Sequence, residues 1–296
     1  MQISRRSLLA GAATLAVAQE SRAVTVGQII ERIQKNVGVP WRAETVDKII
    51  FGSADAPVKG IATTMMATLD VVQRASALGR NFIITHEPTF WEHQDTTTAL
   101  PGDPTVEFKS NFMRDHNVAV FRFHDHWHAR RPDGLATGMM QELGWEKYAA
   151  TSPGGGNRFV FPVMSPAMTL SALAADIKAK LKPATMRIVG DPKLPVSRVT
   201  ASWGYNSREG GIRTLAREDV DVLVAGEARE WEVVEYAQDA IASGQKKALL
   251  VLGHVVSEQA GMKYCAEWLK TFLSDVPVEF VAAAEPFWSP GTVPAQ

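Results

Sequence analysis

Hydrophobic and polar positions follow two alternating periods along most of this chain. Short runs rich in β-branched residues, "KIIFGS", "NFIITHE" and "VAVFRFH", are separated by stretches of helical period, "ATLDVVQRASALG" and "VEFKSNFMRDH". A second set follows: "RVTASWG", "DVLVAGE", "ALLVLGH" and "VEFVAAAE" are interleaved with "GGIRTLARE", "EWEVVEYAQDAIASG" and the long "SEQAGMKYCAEWLKTFLSD". Strand-like runs alternating with amphipathic segments predict an α/β fold with helices on the sheet faces. The two sets are alike in make, so two similar three-layer α/β lobes are expected, over residues 24–152 and 153–290, with a tail at 291–296. "TSPGGGN", residues 151–157, marks the break, because three glycines and a proline continue neither element. The stretch from Arg158 to Arg198, with "LSALAADIKAKL" flanked by prolines, reads as a β-α-β opening to the second lobe.

Residues 1–23 follow neither period. "SRRSLLAGAATLAVAQ" joins Arg5 and Arg6 to a short, weakly apolar stretch and a small-x-small pattern, Ala16-Val17-Ala18. It reads as a twin-arginine export signal, cleaved after Ala18 or Ala23, with an ordinary Sec signal as the alternative. Export by that route carries a folded, metal-loaded protein to a periplasmic or extracellular location. The formal net charge of −1 gives no electrostatic bias towards nucleic acid or an anionic membrane, so a small molecule is the expected partner. The lone Cys265 excludes an internal disulfide and falls on the apolar stripe of a helix, an inert core position.

Ligands of open α/β sheets bind beyond the carboxyl ends of the strands. His86 and Glu87 follow "NFIIT", His124 to His128 follow "VAVFRF", Glu227 follows "DVLVAG", and His254 follows "ALLVLG" with Glu258 four residues on. Five of the seven histidines therefore stand at predicted strand ends. Imidazoles beside carboxylates, without thiolates, suit zinc, manganese, iron or nickel rather than a structural zinc site. Within "FRFHDHWH" a continued strand would align His124, His126 and His128, whereas a helical turn would align His124 and His128 alone. The same i, i+4 spacing in His254 and Glu258 favours the turn, leaving Asp125 and His126 to orient a ligand imidazole. His93, in a polar loop, and His116, closing a helix, are read as structural.

"IITHEPTFW", "FRFHDHWH" and "GHVVSEQAGM", with "RIVGDPKLPVSRV" and "VDVLVAGEAREW" between them, resemble the Nif-three-like proteins, also called GTP cyclohydrolase I type 2, over roughly Val24 to Pro290. The resemblance implies a dinuclear metal centre held by His86, Glu87, His124, His128, His254 and Glu258, in the cleft between the lobes. It also implies a homo-oligomer, since members form ring-shaped hexamers. Three departures stand out. Glu87 replaces the second histidine of the family's pair, His128 replaces its aspartate, and Trp231 stands where histidine is frequent. The first two are reciprocal, so the formal charge of the site is kept.

Two divalent cations against Glu87 and Glu258 leave about two positive charges, which favours a bridging hydroxide and an anionic or cyclic-amide substrate. The expected function is metal-dependent hydrolysis, with Glu227 moving the proton or, alternatively, only capping the following helix. Tyr205, in "SWGYNSREGG", is the candidate substrate contact, and Trp203 is read as packing. An amidohydrolase-type barrel would match His124 and His126, but it needs eight βα units and a later lysine or aspartate ligand. A non-catalytic metal-binding or regulatory module is the alternative outside enzymology.

Overall fold

A computed structural model describes residues 23–148, 158–161 and 167–290. The stretch read as an export signal, apart from Ala23, the glycine-rich break and the tail lie outside them. In chain order the first half contains helix α1 (Val26–Asn36), strands β1 (Ile49–Phe51) and β2 (Ile61–Met66), helix α2 (Leu69–Ala77) and strand β3 (Phe82–Glu87). Helix α3 (Pro104–Asp115), strand β4 (Ala119–Arg122) and helices α4 (Asp125–Ala129) and α5 (Gly134–Leu143) complete it. The second half opens with strands β5 (Arg158–Phe161) and β6 (Met168–Thr169), helix α6 (Leu170–Leu181), and strands β7 (Arg187–Val189), β8 (Pro195–Val196) and β9 (Val199–Asn206). There follow α7 (Arg208–Leu215), β10 (Val222–Ala228), a π-helical turn at Glu230–Val234, α8 (Glu235–Ala242), β11 (Ala248–Val251), α9 (His254–Lys270) and β12 (Val278–Phe280).

Most helices start where a side chain can take up an orphan amide. Thr25, Thr68, Asp103, Asp133, Thr169 and Ser207 each accept a hydrogen bond from the first turn that they precede. Helices α4 and α9 lack such a cap from the preceding residue, and both carry the histidines singled out above.

The chain is mixed α/β, as the alternation of periods predicts. One sheet has the order β1-β4-β3-β2-β12, parallel except for β1. The other has the order β5-β9-β10-β11-β7, parallel in the centre with antiparallel edges. The small pair β6-β8 stands apart. Strand β12, "VEF", is a correction to the sequence order: it returns to pair with β2 in the first sheet, Val278 opposite Ile61. Helix α9, which precedes it, packs against β2 as well as β9 and β10, and the amide of Ile61 donates to the carbonyl of Pro277 at 2.8 Å. Strand β2 itself, "IATTMM", escapes periodicity: it is buried on both faces and so has no polar side to alternate with.

The two lobes share their inner helical layer. One continuous core joins Ile61, Phe82 and Phe121 of the first sheet to Val199, Val222 and Leu250 of the second through α5 and α9. Helices α2 and α3 cover the outer face of the first sheet, while α8 and the π-turn cover that of the second. Two glycines set the thickness of the middle layer. A Cβ on Gly138 would lie 2.3 Å from the carbonyl oxygen of Ala260, and one on Gly261 would lie 2.6 Å from the Cα of Leu135. Among the described residues no helix is long and apolar enough to cross a membrane.

Gly138→Ala is therefore expected to lower stability by about 1–3 kcal/mol. The reading is a lower urea midpoint at unchanged slope; a midpoint equal to that of the wild type would show that α5 and α9 do not meet at backbone contact.

Candidate metal centre

Strand β3 delivers two adjacent side chains to one place. His86 is wholly buried, with Nδ1 3.3 Å from the carbonyl oxygen of Phe123. That nitrogen donates, so Nε2 carries the lone pair, and this atom is buried without a hydrogen-bond partner. Burial, with His124, His128 and His254 nearby, pushes the His86 pKa well below its ordinary value and keeps the ring neutral.

Glu87 is held from behind by Arg122 of β4, whose side chain is 1% exposed. Arg122 donates to the carbonyl of His86 at 3.2 Å, to the carbonyl of His93, and to Glu87 Oε2 at 3.3 Å. The other oxygen, Oε1, faces His254 Nε2 at 3.3 Å and His124 Nε2 at 3.8 Å. Burial alone would raise the Glu87 pKa, but His254, His124 and Arg122 outweigh it and keep the carboxyl ionised.

After β4 the chain turns into helix, as the spacing within "FRFHDHWH" predicts. The carboxylate of Asp47 accepts the amides of His124, Asp125 and His126 at 2.7, 2.9 and 2.9 Å. It does from a distant loop what a capping residue usually does locally. The amide of His128 donates to the carbonyl of His124 at 3.0 Å, so these two imidazoles share a face. The His86 ring stacks on His124 at 4.6 Å and meets His128 edge-on at 4.8 Å.

Asp125 has its Oδ1 3.0 Å from His124 Nδ1. That hydrogen bond, with the Thr45 hydroxyl and the Val46 amide, holds the Asp125 carboxyl well below the usual carboxylate range. His126 does not orient a ligand, a correction to the sequence reading. Its Nε2 accepts the Arg42 amide at 2.9 Å, its Nδ1 donates to Asp47 at 2.7 Å, and its ring stacks on Trp41 at 3.7 Å. It anchors the loop that forms the turn.

Helix α9 brings the remaining pair from the second sheet. His254 Nε2 lies 3.1 Å from Glu258 Oε2, which lies 3.7 Å from His86 Nε2. His254 Nδ1 lies 3.3 Å from Glu227 Oε1. Burial alone would lower the His254 pKa, but Glu227, Glu258 and Glu87 together push it up to about 12. Gly204 permits the approach of β9: at φ +67° its missing Cβ would lie 2.3 Å from Glu258 Oε1. Ser257 fastens the same contact, its Oγ accepting the Gly204 amide at 3.0 Å and donating to the His254 carbonyl at 2.9 Å.

All six predicted ligand residues are thus in one cluster. Its four imidazoles have their Nδ1 atoms occupied, by the Phe123 carbonyl and by Asp125, Asp133 and Glu227. This leaves Nε2 of each for the interior. Donor atoms of His86, His124 and His128, and of His86, Glu87 and Glu258, lie within 4.8 Å of one another. Tetrahedral coordination at about 2.0–2.2 Å separates ligand atoms by roughly 3.3–3.6 Å. The contacts of His254 with Glu87 and Glu258 are already close to that spacing, and the donor set fits a borderline divalent cation.

Tyr205 pairs with Glu227 across β9 and β10 and is 47% exposed, whereas Trp203 is buried. Trp231 lies on the surface in the π-turn. His116 closes α3, bonding the Phe112 carbonyl through Nδ1, and Cys265 is buried. His93 is exposed, with its ring edge-on to His124 at 6.5 Å. Asp133, Arg122 and Asp47 are the participants that sequence reasoning missed. Asp133 had a signal, an Asp-Gly pair at a helix start, and so did Arg122, a lone charge inside an apolar strand. Asp47 had none, since its contacts span 77 to 79 residues.

The profile of the Duf34/NIF3 (NGG1p interacting factor 3) family matches residues 24–286. A Chlamydia muridarum protein named GTP cyclohydrolase 1 type 2 homolog is 25% identical over 243 residues, 80% of this chain and 88% of its own length. One of the same name from Clostridium acetobutylicum is 25% identical over 203 residues, 66% of this chain and 72% of its own. The crystal structure of a Bacillus cereus protein related to NIF3 superposes with a TM-score of 0.68 at 16% identity, over 90% of this chain and 99% of that one. A Staphylococcus aureus structure does so with a TM-score of 0.67 at 19% identity and the same coverage. These structural likenesses show a shared fold; with the profile match over nearly all of the described chain, they place this protein in the Duf34/NIF3 family.

Proposed function

We propose that this protein is a dinuclear metal-dependent hydrolase acting on a small anionic or cyclic-amide substrate. The observation that carries the reading is the common orientation of four imidazoles, each tied at Nδ1 and turning Nε2 inward, around Glu87 and Glu258. A buried Nε2 left without a proton donor, as in His86, is costly unless a cation takes its lone pair. His86, His124 and His128 would hold one ion in a nearly all-imidazole setting, and Glu87, His254 and Glu258 the other in a carboxylate-rich one. Two bound divalent cations supply an activated water and polarise a carbonyl or phosphoryl oxygen.

The chain's own residues supply the rest. Glu227 fixes the His254 ring with one oxygen, and it lines the adjoining cleft, where its carboxylate takes up and returns a proton. Its pKa is lowered, first by the hydrogen bond from His254, so it is the basic form that meets a substrate at neutral pH. Arg122 keeps Glu87 ionised and aimed. GTP belongs in the substrate screen because relatives carry that name. Arg5 and Arg6, ahead of a short apolar stretch, support export by the twin-arginine route, and Arg5→Lys with Arg6→Lys should strand the protein in the cytoplasm.

His86→Ala, His254→Ala and Glu258→Ala should each lower the metal content of purified protein, measured by elemental analysis, while His93→Ala and His116→Ala leave it unchanged. Equal content in all five variants would remove the cluster from metal binding. Metal binding without turnover on phosphoesters, cyclic amides or GTP would return the protein to a non-catalytic role.

The exchanged pair offers a sharper test. Glu87→His removes a carboxylate and His128→Asp adds one, so each alone disturbs the charge around the ions. The double variant should recover affinity by a coupling of about 0.5–3 kcal/mol in metal titration. Losses that merely add would show that Glu87 and His128 do not serve one centre.

Proton release gives a third test. The raised His254 pKa means that the metal-free ring is protonated at neutral pH, and a metal must displace that proton. Apparent affinity should therefore rise from about pH 6 to about pH 8, by roughly tenfold per unit for one proton. Affinity independent of pH over that range would mean that His254 does not ligate.

A further inference from the structure

Beside His254 the second lobe opens into a cleft of about 840 Å³, within the range of small-molecule sites. Its walls come from α6, the segment that leads into β7, the carboxyl ends of β9 and β10, and the chain beyond β12. Lys178, Arg187 and Arg229 line it, against a single lining carboxylate, Glu227, which is already turned to His254. A chain of net charge −1 has thus gathered three cations around one hollow.

None of the three is locked elsewhere. The side chain of Lys178 makes no hydrogen bond or ion pair among the described residues. Arg187 pairs with Glu230 at 2.5 Å, but with both side chains more than half exposed, which makes the pair weak and exchangeable. Arg229 reaches Glu232 at 3.3 Å with its own side chain 56% exposed. The amino end of α9 adds its positive dipole end at the lining residues Gly253 and His254, and Gly253, which precedes it, offers no capping side chain.

The same cleft presents aromatic surface. Tyr205 is 47% and Phe287 67% exposed, and both are lining residues. Aromatic faces next to guanidinium and ammonium groups suit a planar ring that bears negative charge.

We propose that this cleft is the substrate subsite, taking an aromatic ring that carries an anionic group. The anion sits on Lys178, Arg187 and Arg229, the ring lies against Tyr205 and Phe287, and the reacting bond points to His254. Only that last orientation rests on the hydrolase reading; the recognition of the ligand does not.

Phenylphosphonate, which has no hydrolysable ester, is the probe, and methylphosphonate is the control without a ring. Binding is measured by calorimetry on the full chain, both metal-loaded and chelator-treated. Phenylphosphonate should bind more tightly than methylphosphonate. Lys178→Gln with Arg187→Gln should weaken both by about tenfold or more, the size of losing a charged hydrogen bond. Tyr205→Leu with Phe287→Leu should weaken phenylphosphonate alone. Thermal unfolding and metal content should stay as in the wild type, because all four side chains are on the surface of the cleft. Equal affinity for the two probes, or variants that bind like the wild type, would overturn the proposal. Binding lost on chelation but insensitive to the variants would overturn it too, placing the anion on the metals alone. Variant-sensitive binding that survives chelation, in a protein without turnover, would uphold the cleft and overturn the hydrolase reading.

Discussion

A guanidinium shut away from water has to find acceptors inside the protein, and the site is built around one that does. Arg122 is the last residue of β4, buried between β1 and β3, and its donors go to the carbonyls of His86 and His93 and to the carboxylate of Glu87. Asp95 stands 3.8 Å away, and its other oxygen ties the loop by accepting the amides of Thr89 and Phe90. Removing one side of such an arrangement typically costs about 3–5 kcal/mol, because a buried charge is left uncompensated. The end of β3, the rotamer of Glu87 and the loop that follows are therefore fixed together. With Oε2 engaged, Glu87 has one oxygen to offer, and that oxygen faces His124 and His254.

The second constraint is charge balance. Glu258 is buried and Glu87 partly so, with Glu227 at their edge, and Arg122 and a proton on His254 offset their charge without a metal. His86, by contrast, is kept neutral by burial and by its imidazole neighbours. The placing of Glu87 and His128 sharpens this division. It gathers imidazoles at the end of the first sheet and carboxylates where that sheet meets α9. Two ions bound there would meet donors of different hardness, so a centre of this composition need not hold two ions of the same element.

Much of this was legible in the sequence, for definite reasons. Strand ends show themselves by a change from β-branched to ionisable residues, so His86, Glu87, His124 and His254 could be located without knowing the topology. The i, i+4 spacing in two places gave the helical turns that align His128 with His124 and Glu258 with His254. His126 misled because local spacing says which face a side chain takes but not what awaits it. What awaits it is Asp47 and Trp41, from a loop about eighty residues earlier. Strand β12 misled for a related reason, since order along the chain does not fix order in a sheet. Strand β2 was invisible because a strand buried on both faces has no alternation to read.

What unites the two sheets at the site is helix α9, and its position is set by packing that owes nothing to a metal. Gly138 and Gly261 let it lie against α5 at backbone distance, and Gly204 and Gly226 let β9 and β10 close on Glu258 and Ser257. At each of these points a side chain would have to occupy space that another group already fills. His254 and Glu258 are carried into place by that fit, while β3 and β4 bring their partners from the other side. The first turn of α9, preceded by a glycine that offers no capping side chain, then lies where the cationic cleft and the carboxylate cluster adjoin. A centre assembled in this way is preorganised before any ion arrives, so binding energy is available to hold the ion and its ligand rather than to order the protein.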